Sequence, residues 1–479
     1  MAVVYRVPCE PSGVKRGYRS NHSTTLKGRL SRVTLFKAYD IRGTVPDQLQ
    51  PEVSYLIGRS AARFIGADTV VVVGRDAREH SPGLRDALVR GLCDEGVDVI
   101  DLGLVATPML YFAVESLAAD AGIMITASHN PAQYNGFKIC LAHAVPVGED
   151  SGLREIEAGL AAVESAPPVG DPGSVREADV TADYVQHALG VGTGRPSLKV
   201  AIDCGNGMAA VGLEPLLDEL CLETERLYFT PDGTFPNHEA DPLKLENLAD
   251  LRAAVKRIGA DFGAAFDGDA DRVFFVDEQG EPIPGDLMTG VLARYQLQRS
   301  PGGLVLCDLR SSRAVGEEVE KAGGTVEICR VGHSFVKEQM RESGAIFAGE
   351  LSGHLYFRFS ETLVADDGIA GFVALLDVLA EERRPLSEIV APLRRYAASG
   401  EINSRVRDVA RVLEKIESEH RGAPFVSKLD GLLVRYDDWW FNLRPSNTEP
   451  VLRLNLEADT PAQMAEERDR LLARIQALA

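Results

Sequence analysis

From residue 34 onward, short runs of β-branched and aliphatic residues alternate with amphipathic stretches of helical period. That alternation marks parallel strands joined by helical crossovers, so the expected class is α/β. One layout recurs three times: a strand ending in an acidic loop, a helix, a strand, then a second strand ending in a polar loop. In the first unit residues 69–76 (TVVVVGRD) open, and 122–126 (GIMIT) run into 127–131 (ASHNP). In the second, 199–203 (KVAID) open and 262–266 (FGAAF) run into 267–272 (DGDADR). In the third, 303–308 (GLVLCD) open and 345–348 (AIFA) run into 349–354 (GELSGH). The end of the chain reads differently, with strands around 431–435 and 451–456 and a closing helix. That helix has Thr460 as N-cap, Pro461 at the first position, Gln463 to complete a capping box, and Leu471, Leu472, Ile475 and Leu478 on one face.

The prediction is three similar mixed α/β domains plus a smaller C-terminal α+β domain. A length of 479 residues agrees, since roughly 150 residues per domain gives about three or four. Composition softens at 166–173 (APPVGDPG), 299–303 (RSPGG) and 397–400 (AASG), which places domain 1 at 34–173, domain 2 at 174–299, domain 3 at 300–396 and domain 4 at 397–479. Residues 1–33 hold seven Lys or Arg against the single acid Glu10 and read as a loose basic tail.

Lys plus Arg is 51 and Asp plus Glu is 71, a net charge of −20, which argues against a nucleic-acid-binding surface. An anionic small substrate would need a local basic pocket. No window approaches the ~18 consecutive apolar residues of a membrane span, so no membrane partner is expected. Seven scattered cysteines without a Cys-x-x-Cys pair fit free thiols and a cytoplasmic location. The absence of Gly-x-x-x-x-Gly-Lys-Ser/Thr and of a strand followed by Gly-x-Gly-x-x-Gly removes the main support for kinase and dehydrogenase readings.

Ligands of open α/β sheets bind outside the carboxyl ends of the strands, so the loops there carry the chemistry. Asp267, Asp269 and Asp271 bring three carboxylates together, and two unit charges ~4 Å apart repel by about 4 kcal/mol at an effective dielectric of 20. They need a cation or shared protons; oxygen ligands without a nearby thiol point to Mg²⁺ rather than Zn²⁺, against the alternatives of a solvated acidic turn or a calcium loop. Ser128 beside His129 is a plausible activated nucleophile, with a plain turn as the competing reading. Arg444, Ser446, Asn447 and Thr448 concentrate donors suited to a phosphate, or else form a polar hairpin loop. Glu350 and Ser352, two residues apart, are placed to face sugar hydroxyls together.

With all four loops in view, the sequence resembles the α-D-phosphohexomutase family, most closely its bacterial phosphomannomutase/phosphoglucomutase branch, from residue 37 to about 460. The matching motifs are 37–43 (KAYDIRG), 126–131 (TASHNP) with 135–138 (NGFK), 267–272 (DGDADR), 331–333 (VGH), 349–354 (GELSGH) and 444–450 (RPSNTEP). The resemblance implies that Ser128 is a phosphoserine and that Asp267, Asp269 and Asp271 hold one Mg²⁺ with it. Arg272 and His129 would then flank the phosphate, and Lys138 is the candidate general base, with Arg42 and His333 also near the reacting oxygen. Tyr39, Arg310, Glu350, Ser352, His354, Arg444, Ser446, Asn447 and Thr448 would join Arg272 in binding substrate. A lysine base must be neutral, and a pKa near 10.4 leaves only about one in a thousand neutral at pH 7.4. Burial and the charge of Arg42 are expected to depress it.

The implied activity interconverts hexose 1-phosphate and hexose 6-phosphate, mannose or glucose, through a hexose 1,6-bisphosphate that also serves as activator. Partners are then small hexose phosphates, on a monomer or weak homo-oligomer. Arg444 must reach the ligand that Ser128 reaches, so the four units should enclose a central cleft. The alternatives are a phosphoglucosamine mutase, or a metal-dependent sugar-phosphate hydrolase or binder on the same fold. Two mild departures from the family pattern are Ala270, where related chains often have Gly, and Arg310, where some have Lys.

Overall fold

Strands such as Phe262–Phe266 are buried along their whole length and so are apolar throughout instead of alternating, as parallel strands covered on both faces must be. In the computed structural model, residues 35–168, 171–194, 196–445 and 451–478 are described. The basic tail lies outside them.

The three units share one topology. In the first sheet Val70–Arg75 pairs in parallel with Asp98–Leu104 and Ala121–Ile125, and the latter turns back antiparallel through Tyr134–Leu141. In the second, Lys199–Asp203 pairs in parallel with Glu223–Leu227 and Phe262–Phe266, which turns back through Val273–Asp277. In the third, Leu304–Asp308 pairs in parallel with Thr325–Cys329 and Phe347–Gly349, which turns back through Leu355–Arg358. Each polar loop singled out in the sequence is therefore the same connection: it leaves the carboxyl end of a parallel strand and enters its antiparallel neighbour. Repeated topology delivers three loops of different chemistry to equivalent places.

Strand Val175–Glu177 extends the first sheet beyond residue 173 by pairing with Asp98–Leu104. Helix Gly285–Arg299 packs on helix Arg313–Lys321 and strand Phe347–Gly349 of the third unit, ahead of residue 299. The last unit is an antiparallel sheet in which Val451–Ala458 pairs with Trp439–Pro445, Ile402–Arg405 and Ala397–Ala398. Helix Pro461–Leu478 covers it with Leu471 and Ile475 buried. Its capping box is only half made: Thr460 Oγ1 accepts from Gln463 N at 3.2 Å, but the Gln463 amide donates to Asp438 Oδ2 at 2.6 Å instead of returning to the cap.

One continuous apolar core runs through the first three units, from Val72 and Met109 through Phe262 and Phe275 to Phe372 and Leu375. The fourth unit has its own core and meets the third through a small cluster of Leu309, Leu433 and Trp440. Among the described residues, no helix is long and apolar enough to cross a membrane. The described cysteines are free thiols.

Candidate active site

The four units converge on a cavity of about 360 Å³. Lys37, Tyr39, Arg42, Ser128, His129 and Lys138 line it from the first unit, and Arg272 from the second. Arg310, His333, Glu350, Ser352 and His354 come from the third, Arg444 and Arg453 from the fourth. In a chain of net charge −20 this is the local basic pocket that an anionic substrate requires. Ser446, Asn447 and Thr448 lie outside the described residues.

The carboxylate loop of the second unit meets the serine loop at Ser128, which lines the cavity. Asp267, Asp269 and Asp271 are fully buried, with ligand atoms within 4.8 Å of one another. Ser128 Oγ donates to Asp267 Oδ2 at 2.7 Å and lies 3.1 Å from His129 Nδ1. The loops approach this closely because residue 268 is glycine: a Cβ there would lie 2.4 Å from the Ser128 carbonyl oxygen. Thr107 Oγ1 donates to Asp269 Oδ2 at 2.6 Å, while Oδ1 of Asp269 and of Asp271 is buried without a hydrogen-bond partner among the described residues. Burial, then Asp271 and Asp269, push the Asp267 carboxyl well above its usual range. Crowded carboxylates with free lone pairs beside a hydroxyl fit a hard divalent cation. Ala270 adopts φ 65°, the left-handed region, so this loop carries backbone strain that glycine would lack.

Lys138 reverses one expectation. Its Nζ lies 2.7 Å from Asp269 Oδ2 and also pairs with Asp271. Burial opposes its charge, yet Asp269, Asp271 and Asp267 outweigh burial and raise its pKa instead of lowering it. Arg42 is occupied elsewhere, donating to Asn130 Oδ1 and Asp40. His333 stands edge-on to Tyr39 at 5.5 Å, and both its ring nitrogens are buried without partners among the described residues. Burial, then the charge of Lys337, keep it neutral.

The third-unit loop is braced from behind. Glu350 Oε1 accepts from Gly332 N at 2.8 Å and Oε2 from the Tyr356 hydroxyl at 2.6 Å. Arg272 Nε donates to His354 Nε2 at 2.9 Å, and His354 Nδ1 faces Asp366 Oδ2 at 3.1 Å. Asp366 is in turn paired with the fully buried Lys337 at 2.8 Å.

Sequence reasoning missed Arg78, which is 1% exposed. Its Nη1 donates to the carbonyls of Pro131 and Tyr134 at 2.7 and 3.0 Å, and its Nη2 to those of Ser128 and Asn130 at 2.8 and 2.6 Å. Asp76 Oδ2 accepts from its Nε at 3.0 Å. One guanidinium thus satisfies three carbonyls of the serine loop and that of Tyr134 at the start of the next strand. The available signal was a Gly-Arg-Asp-Ala-Arg run at the carboxyl end of an opening strand, where ligand loops lie. Asp366 and Lys337 had no comparable signal.

A carboxylate triad that calls for a cation, a serine hydroxyl bonded to it, and arginines from the third and fourth units lining the same cavity together describe a phosphotransferase for a small anionic substrate. The chain matches the phosphoglucomutase/phosphomannomutase models for α/β/α domain I over residues 33–166, domain II over 182–280, domain III over 284–396 and the C-terminal domain over 401–474. It is 40% identical to the phosphomannomutase of Salmonella typhimurium over 92% of this chain and 99% of that protein. It is 38% identical to the phosphomannomutase/phosphoglucomutase of Pseudomonas syringae pv. tomato over 90% and 92%. A crystal structure of a phosphoglucomutase/phosphomannomutase family protein from Burkholderia thailandensis superposes with a TM-score of 0.85 at 35% identity, covering 93% of this chain and 97% of that one. The chain belongs to the phosphoglucomutase/phosphomannomutase family, and its activity is that of a hexose-phosphate mutase.

Proposed function

We propose that the enzyme carries a phosphoryl group on Ser128 Oγ and passes it to the free hydroxyl of a bound hexose 1-phosphate. The resulting hexose 1,6-bisphosphate turns within the cavity and returns its other phosphoryl group to Ser128, leaving hexose 6-phosphate; the reverse direction uses the same steps. The observation that supports this reading is that Ser128, from the first unit, and a second group of cations, Arg444 and Arg453, from the fourth, line one cavity. A hydrolase needs one phosphate site, whereas a mutase needs two.

Asp267, Asp269 and Asp271 would hold Mg²⁺ beside Ser128, and that ion supplies the charge neutralisation that a phosphoryl group needs between anionic partners. Arg272 and His129 would flank the phosphate on Ser128. His333 lines the cavity and its ring nitrogens have no hydrogen-bond partner among the described residues, which supports a role in accepting the proton that the attacking sugar hydroxyl loses. Lys138, held as a cation by two carboxylates, acts electrostatically in this state.

Glu350 and Ser352 would bind the sugar through hydroxyls common to mannose and glucose, and Leu351 between them offers no side-chain hydrogen-bonding group. A site that reads shared positions separates the two sugars weakly. Mannose 1-phosphate and glucose 1-phosphate are therefore expected to differ in kcat/KM by less than about a hundredfold, roughly 2.7 kcal/mol, with glucosamine phosphate poorer. Incubation with mannose 1-phosphate and Mg²⁺ tests the reaction. Release of inorganic phosphate without the 6-phosphate would make the protein a hydrolase, and a thousandfold preference for glucosamine phosphate would move it to the phosphoglucosamine branch.

A further inference from the structure

Glu401 lies just ahead of strand Ile402–Arg405 and lines the cavity, yet the reaction described so far gives it no part. Its carboxylate hangs among three guanidinium groups. Oε2 is 3.8 Å from Arg310 Nη1 and 3.9 Å from Arg444 Nη2, and Oε1 is 3.3 Å from Arg453 Nη1. These are ion-pair separations, longer than the 2.7–2.9 Å or so to which charge-assisted hydrogen bonds close. Arg310 has a firmer partner in Asp308, which accepts from its Nε at 3.2 Å and its Nη2 at 2.7 Å. Arg444 and Arg453 share Glu401, with Asp430 the other carboxylate acting on Arg444, and among the described residues the Nε of each is buried without a hydrogen-bond partner. Burial, then the neighbouring Arg310, lower the Arg444 pKa, against the opposing pull of Asp430 and Glu401. One carboxylate supplies two oxygens and one charge. A phosphate monoester supplies three terminal oxygens and about two charges, and so matches the unused donors better.

We propose that Glu401 is a built-in stand-in for the substrate phosphate. It keeps the guanidinium groups gathered while no anion is bound, and the arriving phosphate displaces it. Phosphate then binds against an internal competitor, more weakly than the bare arginines would hold it. Weak holding has a use under the mutase reading, on which this last step alone rests: the bisphosphate has to leave this cluster and present its other end to Ser128. Binding that tightens ground state and transition state alike lowers KM without raising kcat, and here it would also delay the turn.

The test compares full-length wild type with Glu401→Gln, which keeps the side-chain volume and removes the charge. Titration with inorganic phosphate by calorimetry is expected to give a Kd about tenfold lower in the variant, since a competing charge has gone. KM for mannose 1-phosphate should fall by a similar factor, with kcat falling as well. Glu401→Asp, which retains the charge, is expected to stay within about threefold of wild type in phosphate affinity. Unchanged or weaker phosphate binding in Glu401→Gln would overturn the proposal and make Glu401 a support for Arg444, as would an equal gain in Glu401→Asp. If phosphate binding tightens while neither protein converts mannose 1-phosphate, the stand-in role holds and the mutase reading fails.

Discussion

Ser128 is held at φ 51°, in the left-handed region that a side chain adopts only at a cost of about 1–2 kcal/mol. Such strain persists where surrounding contacts over-determine it, and it turns Oγ toward Asp267 instead of back along the strand. Removing that oxygen leaves the packing intact, because the atom bonds only to polar neighbours at the cavity wall. Ser128→Ala is therefore expected to keep its melting temperature within a few degrees and its affinity for hexose phosphate, while turnover falls by at least about a thousandfold. Intact-mass measurement should find part of the wild-type protein heavier by one phosphoryl group and none of the variant. Activity within tenfold of wild type would remove Ser128 from the reaction.

At the scale of the element, the serine loop is not self-supporting; Arg78, fifty residues earlier, holds it from beneath. Lysine offers three donors from a single point and cannot span four carbonyls, so Arg78→Lys leaves buried acceptors unpaired at about 1–3 kcal/mol each. The variant should melt lower. Assayed at a temperature where it is fully folded, it should lose about a hundredfold in kcat with little change in KM, because a displacement of ~1 Å at the nucleophile costs that much. A kcat equal to wild type under those conditions would show that the loop keeps its shape alone. The loops themselves were legible in the sequence, since strand, turn chemistry and carboxylate spacing are all local. Arg78, the Lys337–Asp366 pair and Glu401 were not: each matters through residues far away in the chain, and a buried arginine reads like any surface arginine until its partners are placed. The capping box at Thr460 failed for the same reason, because Asp438 from a neighbouring turn captured the Gln463 amide.

Across the whole molecule the cohesion is uneven. The first three units share one core, whereas the fourth joins them through a small apolar cluster of Leu309, Leu433 and Trp440 and through polar contacts that include Arg313, which pairs with Glu457 at 3.3 Å and Asp459 at 2.7 Å, and Val331 N, which donates to Asp430 Oδ2 at 3.2 Å. A small apolar contact with a polar hinge favours relative motion, so the terminal unit is the part able to open the cavity to substrate and close it against water. Its inner wall presents Arg444 and Arg453, whose charges draw it toward a bound phosphate. Small-angle scattering should accordingly show a smaller radius of gyration when mannose 1-phosphate is added to Ser128→Ala, a variant that binds without turning over. Arg313→Ala should weaken the hinge, raising KM and lowering kcat together, since both depend on how often the closed arrangement forms. Superimposable scattering curves with and without the sugar phosphate would mean that the cavity is closed from the outset, and the bisphosphate would then have to turn inside about 360 Å³ without any opening of the wall.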